Sequence, residues 1–144
     1  MSRFLAYAWL LAVLPLAACN NATSPSAPTG RNVSGRWNYA AAASDGASVL
    51  NGTLDVTRQD GTTISGLLDA RELDRYGIAR TIQGIMGGRV VSDASVEFDV
   101  VLAAGRTRRH LGAFAGDSVR GTWIETSAVQ VTGTGTFRGA RSNP

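Results

Sequence analysis

The sequence predicts an all-β fold, a single small antiparallel up-and-down β-barrel of about eight strands over residues 35–142. Three observations predict it. Short stretches of alternating apolar and polar residues dominate this region, and no convincing helical period interrupts them. Turn residues separate these stretches about every ten positions. Glycine is frequent, at 17 of the 144 residues, and many glycines fall inside predicted strands, where they permit the sharp bending of a small barrel.

The first half of the domain contains four predicted strands separated by polar turns. They cover residues 36–42, 49–58, 62–70 and 81–91. The dipeptide Asp60-Gly61 predicts a tight hairpin turn between the second and third strands, because glycine accepts a positive φ angle. Residues 71–78 are polar, and we interpret them as a long loop or a single helical turn.

The second half contains four more predicted strands. They cover residues 95–102, 107–115, 118–126 and 129–138. The first of these has the cleanest alternation, with Val96, Phe98, Val100 and Leu102 on one face. Antiparallel strands that follow one another in sequence favour a closed barrel, since closure removes exposed sheet edges. A two-sheet β-sandwich is the alternative.

The N-terminus has the pattern of a targeting sequence. Met1-Ser2-Arg3 is a short basic start, and an apolar run covers residues 4–18. A run of about fifteen residues is too short for a membrane-spanning helix of about twenty. It is typical of the hydrophobic region of a signal peptide.

Leu16-Ala17-Ala18-Cys19 resembles the lipobox of bacterial lipoprotein precursors. The resemblance implies a signal peptide at 1–18, cleavage before Cys19, and attachment of several acyl chains to Cys19, which would anchor the protein stably to membrane lipid. With Asn20 as the next residue, it implies the outer membrane of the cell envelope if the host is Gram-negative. An ordinary secretory signal is the alternative. Residues 19–34 would be the lipidated cysteine and a flexible tether, because they are polar and contain two prolines.

Gly35-Arg36-Trp37 at the start of the first strand resembles the opening of lipocalin- and avidin-type barrels, the calycin group. The resemblance implies that Trp37 closes one end of the barrel. It also implies that an arginine near the last strand packs across the indole as a cation–π partner. We expect Arg138 in that role, with Arg141 as the alternative.

The composition excludes several classes of function. The chain has one cysteine and one histidine, so it cannot form an internal disulfide or a metal site of several cysteines or histidines. Paired carboxylates, a phosphate loop and metal-ligand spacing are missing from the sequence. We therefore expect no enzyme activity, metal or cofactor. Nucleic acid is an unsuitable partner, because the net charge is only +3 and the predicted compartment is the envelope.

The strands on either side of Ala104-Gly105 carry the charged and titratable residues that are the main candidates for catalysis or anion binding. A two-residue turn at this dipeptide would place Asp99 opposite His110 on the outer face of the barrel, as a surface cross-strand pair. The same register would turn Arg109 inward near the barrel mouth. There its planar guanidinium could bind an anionic headgroup.

We interpret the domain as a non-catalytic binding module for a small apolar or amphipathic ligand. The candidate ligand contacts are Trp37, Phe98, Arg109 and Trp123. The alternative is a structural or protein-interaction lipoprotein with a fully packed barrel, whose partner is another envelope protein. The two interpretations differ in the barrel interior. Both stay open here, because a register slip of one residue exchanges the two faces of a strand.

Overall fold

The computed structural model describes residues 30–128 and 130–142. The strands of this part are β1 Gly35–Ala43, β2 Ser48–Asp60, β3 Thr63–Asp74, β4 Ala79–Ser92, β5 Ser95–Leu102, β6 Arg106–Ala115, β7 Ser118–Ser127 and β8 Gln130–Arg141. One turn of 3-10 helix, Ala103–Gly105, joins β5 to β6. The predicted signal peptide and Cys19 lie outside the described residues.

The strands form one closed antiparallel barrel. Each strand pairs with the next in sequence, and β8 pairs with β1 to close the circle. This confirms the predicted up-and-down barrel and excludes the β-sandwich. The pairing register shifts between Val56 and Arg58 within β2 and between Val90 and Ser92 within β4. Such shifts mark β-bulges, which bend strands sharply enough to close a small barrel.

The strand bounds follow the sequence pattern closely, with one exception. The predicted loop over residues 71–78 is too long, because β3 continues to Asp74 and β4 begins at Ala79. The apolar alternation does not extend to the end of β3 and the start of β4, because inward positions there, such as Glu72, are polar. The sequence pattern therefore predicts shorter strands than the structure contains. The short turn that remains is held by Asp74, whose carboxylate accepts hydrogen bonds from the backbone N–H groups of Tyr76 and Ile78.

The interior of the barrel is packed. Inward-facing side chains from all eight strands fill it, including Trp37, Leu50, Leu68, Met86, Phe98 and Phe137. The free space left among the apolar side chains is about 30 Å³, enough for about one or two water molecules. A drug-sized ligand needs a pocket of about 300 Å³ or more, so the barrel core has no room for one.

One end of the barrel, which we name the closed end, is covered by residues 30–34. Val33 is buried, and its carbonyl oxygen accepts a hydrogen bond from the Trp37 indole at 2.9 Å. The guanidinium of Arg141 lies over the Trp37 ring at 5.0 Å and donates to the carbonyl oxygens of Ser34 and Asn32. The last five residues of the predicted tether therefore belong to the folded domain.

The predicted closing pair of Trp37 with Arg138 is wrong, and the alternative, Arg141, takes this place. Inward positions of β8 alternate through Phe137, Gly139 and Arg141, so Arg138 points outward and is exposed. The opposite end of the barrel, where β1 meets β2, β3 meets β4 and β5 meets β6, has no such cover among the described residues. We name it the mouth.

Candidate functional site

The register between β5 and β6 decides which residues face the interior. The connection is longer than the expected two-residue turn, with Ala104 and Gly105 both at positive φ. Phe98 lies opposite His110, and Asp99 lies opposite Arg109. The predicted pairing of Asp99 with His110 is therefore wrong by one residue, and the faces of β6 are exchanged relative to the prediction.

Arg109 lies on the outer wall of the barrel, so its predicted inward orientation is wrong. Its side chain is 67% exposed. Nε and Nη2 donate to the two carboxylate oxygens of Asp99 at 2.9 and 3.0 Å. An exposed pair of this kind contributes little to stability, and it is far from any enclosed space.

The residue that does point inward is Arg108, and it forms a buried ion pair at the mouth. Nε and Nη2 donate to Glu125 Oε2 at 3.1 and 2.6 Å, with side-chain exposures of 4% for Arg108 and 9% for Glu125. Arg106 donates to the other carboxylate oxygen at 3.3 Å. Thr132 also donates to that oxygen, because a bulge in β8 turns it toward Glu125.

The guanidinium of Arg108 also covers an aromatic ring. Its Cζ lies 4.3 Å from the centre of the Trp123 ring, a cation–π distance. The Trp123 indole donates to the carbonyl oxygen of Thr136 at 3.2 Å, which fixes the ring. Arg108 Nη1 is buried and has no hydrogen-bond partner in good geometry among the described residues, while the guanidinium interacts with the neighbouring Tyr39 hydroxyl.

These side chains form the floor and wall of a pocket at the mouth. Its volume is about 400 Å³, and its other lining residues include Ala43, Ser48, Glu72, Val131 and Gly133. We name Arg106, Arg108, Trp123 and Glu125 the mouth cluster. The pocket combines one aromatic surface and a few apolar side chains with several polar and charged groups, which suits an amphipathic molecule better than a purely apolar one.

A second polar pair lies beneath the mouth cluster, within the barrel core. The Tyr39 hydroxyl donates to His110 Nε2 at 2.9 Å. His110 Nδ1–H in turn donates to the carbonyl oxygen of Arg108 at 3.1 Å, which fixes a neutral imidazole with its proton on Nδ1. The imidazole stacks on Phe98 at 4.3 Å, so His110 is a core residue and no solvent-facing catalytic base.

Burial shifts both titrating groups away from their ordinary values. It raises the pKa of Tyr39 to about 12, although the positive charge of Arg108 opposes the rise. Burial, and then the charge of Arg108, lower the pKa of His110 to about 3. Both groups are therefore neutral at physiological pH.

The low pKa of His110 makes the fold sensitive to acid. An unfolded histidine takes up a proton at about pH 6.5, whereas His110 in the folded state does so at about pH 3. The contribution of neutral His110 is complete above pH 6.5 and is lost as the pH falls toward 3. Between pH 6.5 and 5, we expect the unfolding free energy to fall by about 1.5 kcal/mol more than in His110→Gln. Urea denaturation at both pH values tests this, and equal losses in the two proteins would contradict it.

The four predicted ligand contacts do not all meet in one place. Trp37 and Phe98 line the same small apolar cavity in the packed interior, Arg109 lies on the outer wall, and Trp123 lies at the mouth. Sequence reasoning placed Arg108 on the outer face and missed Glu125. The signal was present in the alternation of Arg108, His110, Gly112 and Phe114, but it could be used only with the correct register.

Two further observations describe the rest of the molecule. Within residues 30–128 and 130–142, no group of three or more His, Cys, Asp or Glu side chains is placed to hold a metal ion. In the same part of the chain, no helix has the length and apolar character needed to cross a membrane.

Comparison with known proteins finds similarity in solved structures. No protein-family model matches the chain, and no curated protein matches it either. EF1p2_mFAP2b bound to DFHBI is similar with a TM-score of 0.60 and 16% identity, covering 76% of this chain and 93% of that chain. A de novo designed fluorescence-activating β-barrel has a TM-score of 0.58 and 17% identity, covering 80% and 98%. The redesigned β-barrel mFAP1, bound to DFHBI, has a TM-score of 0.55 and 15% identity, covering 76% and 94%.

At these identities the likeness concerns the fold alone. The designed barrels are about the length of the folded part of this chain, since most of each is covered. In fold, the chain is therefore a small, closed, eight-stranded antiparallel barrel.

Proposed function

We propose that this protein is an envelope lipoprotein whose barrel binds one small amphipathic ligand at its mouth, without catalysis. One observation carries the proposal: the Arg108–Glu125 ion pair and the Trp123 ring meet at the floor of an open pocket at the mouth. Arg106, whose side chain is 33% exposed, is the guanidinium of this cluster that a ligand oxygen can reach.

The pocket volume favours the mouth over the core. The mouth pocket is open to solvent and has about 400 Å³, whereas the apolar core retains about 30 Å³. Similar barrels bind DFHBI, which supports a role for this fold in holding a small ligand. For this chain, the binding residues would be the mouth cluster in place of Trp37, Phe98 and Arg109.

The shape of the pocket indicates the chemistry of the ligand. The Trp123 ring, Ala43 and Val131 offer apolar surface for a ring or short hydrocarbon. Arg106 offers a partly exposed donor, while Glu125 is already neutralised by two guanidinium groups. We therefore expect a ligand with one apolar part and one acceptor oxygen, such as a carbonyl, hydroxyl or carboxylate.

The predicted anchor fits this arrangement. Chain entry at Gly30 lies at the closed end of the barrel, where Val33 packs under Arg141 and Trp37. A tether from a lipidated Cys19 would therefore reach the barrel at the end opposite to the binding mouth. In a Gram-negative host, we expect the outer membrane to hold the anchor and the mouth to remain open to the surrounding compartment.

The packed core favours a second candidate, an interaction lipoprotein that binds another envelope protein. The turn between β3 and β4 would be its contact surface, since Tyr76 is 81% exposed and Ile78 is 55% exposed at its tip. Exposed aromatic and aliphatic side chains are common anchors in protein interfaces.

Native mass spectrometry of the full protein, extracted gently from its envelope in an uncharged detergent, separates the two candidates. The ligand-binding proposal predicts a reproducible non-covalent small-molecule adduct, strongly reduced in Arg106→Met, which removes a charge at the mouth. Arg109→Met, on the outer wall of the same strand, is the matched control and should retain the adduct.

A bare barrel, or a complex with a protein and no small molecule, would overturn ligand binding and favour the interaction role. The same spectra recorded after denaturation test the anchor separately. We expect a covalent acyl mass on the peptide that begins at Cys19, and an unmodified Cys19 would contradict the lipoprotein assignment.

A further inference from the structure

Two arginines lie side by side on the outer wall of the barrel. Arg120 of β7 is directly opposite Arg138 of β8, and both side chains are exposed. Directly opposed residues in an antiparallel pair have Cα atoms about 4.5–5.5 Å apart. Like charges at this spacing destabilise a sheet, so the pair costs energy unless an anion joins it.

Most other outer-wall arginines of the described chain have a carboxylate partner. Arg36 lies beside Asp55, Arg89 beside Glu97, and Arg109 beside Asp99. Within residues 30–128 and 130–142, neither arginine of the pair forms an ion pair with a carboxylate. The charge of the pair is therefore not neutralised by the described part of the chain.

The positions around the pair are neutral and short. Ala40 and Ala113 lie on either side in the same cross-strand row. The outward neighbours along the two strands are Ser118, Thr122, Thr136 and Ala140. The guanidinium groups therefore extend beyond the shorter side chains around them, and surface depressions lie on either side of the pair.

The depression on the β1 side also contains amide donors. Asn38 and Asn51 line it together with Arg138, and Asn51 lies in the same row, separated from Arg138 by Ala40. Two guanidinium groups and neighbouring amides supply several N–H donors on the same stretch of the outer wall. This arrangement suits a tetrahedral oxyanion, because guanidinium binds phosphate through two parallel hydrogen bonds.

We propose that Arg120 and Arg138 form a binding site for a phosphate-class anion on the outer wall of the barrel. The site is separate from the mouth cluster and does not depend on the proposed ligand function. Free phosphate and the phosphodiester of a lipid headgroup share the required chemistry. The experiment therefore treats them as separate arms.

The first arm uses the full chain in an uncharged detergent and follows the Nε–H signals of arginine by NMR during addition of sodium phosphate. We expect saturable shifts at Arg120 and Arg138. Binding should weaken several-fold in Arg120→Gln and in Arg138→Gln. Arg80→Gln is the matched control, since Arg80 is exposed on β4, away from the pair, and also forms no ion pair with a carboxylate in the described chain.

The second arm repeats the titration with dihexanoyl phosphatidylglycerol below its micellar concentration. Saturable shifts with this lipid, lost in Arg138→Gln and kept in Arg80→Gln, would assign the site to a headgroup. Shifts with phosphate alone would assign it to a soluble anion. Equal responses to sodium chloride at the same ionic strength, or equal weakening in Arg80→Gln, would overturn the proposal. Amide spectra of each variant verify that the barrel remains folded.

Discussion

Replacing Glu125 with glutamine should lower the unfolding free energy by about 3 kcal/mol, because it leaves a buried guanidinium without its counter-ion. Glu125 accepts two hydrogen bonds from Arg108 at 3.1 and 2.6 Å. Arg106 loses its only carboxylate contact in the described chain at the same time. Urea denaturation at pH 7 measures the loss directly.

Asp99→Asn is the matched control, since it breaks an exposed pair with Arg109 on the outer wall and should cost less than about 1 kcal/mol. Arg108→Met combined with Glu125→Leu should be more stable than Glu125→Gln, because apolar residues of similar size can replace a buried pair at little cost. If Glu125→Gln is no more harmful than Asp99→Asn, the ion pair is solvated and the structure of the mouth is wrong.

Replacing Gly88 with alanine should destabilise the barrel by about 3 kcal/mol or more, because the inner wall has no space for a methyl group. An added Cβ would lie 2.5 Å from the Cα of Phe98 on β5, and closer still to the carbonyl oxygen of Glu97. The obstacle is backbone of the neighbouring strand, which cannot rotate away. Thermal or urea unfolding of the variant provides the measurement.

The neighbouring Gly87 provides the control. It points outward, and an added Cβ would meet no atom within 4 Å in the described chain. Gly87→Ala should be neutral or stabilising by about 0.5 kcal/mol, because glycine inside a strand costs conformational entropy. Similar losses in Gly87→Ala and Gly88→Ala would show that the two glycines are not separated by the inward and outward faces of the barrel.

The fold was accessible from sequence because its signals are local. Alternation in Val96, Phe98, Val100 and Leu102 identified β5 with its bounds, and all four side chains are buried. Inward glycines such as Gly52 and Gly66 mark where the curved wall brings neighbouring backbones together, which fits their predicted role in bending. The pairing of consecutive strands needs no long-range information, whereas closure depends on the long-range pairing of β8 with β1.

The site was less accessible because it depends on one register. The three-residue connection Ala103–Gly105 contains a non-glycine residue, Ala104, at φ 60°, a conformation that alanine rarely adopts. Sequence rules therefore favoured a two-residue turn. The predicted register, wrong by one position, placed Arg109 inward and Arg108 outward. It therefore gave no indication of the buried ion pair between Arg108 and Glu125.

The resemblance to calycin barrels was informative about the closed end for a different reason. Trp37 and an arginine of the last strand meet as the resemblance implies, but parity along β8 selects Arg141 over Arg138. Residues an even number of positions from Phe137 point inward, and residues an odd number of positions away point outward. The sequence alone does not show which of the two faces of β8 points inward.

The central claim, that the ligand binds at the mouth and not in the core, can be tested by NMR of the two indole N–H groups. Trp37 lies at the closed end and Trp123 at the mouth, so their signals report on opposite ends of the barrel. During titration of the full chain with the small-molecule extract of its envelope, we predict a saturable shift of the Trp123 signal and a constant Trp37 signal. A shift of the Trp37 signal alone, or no shift of the Trp123 signal at any concentration, would contradict binding at the mouth.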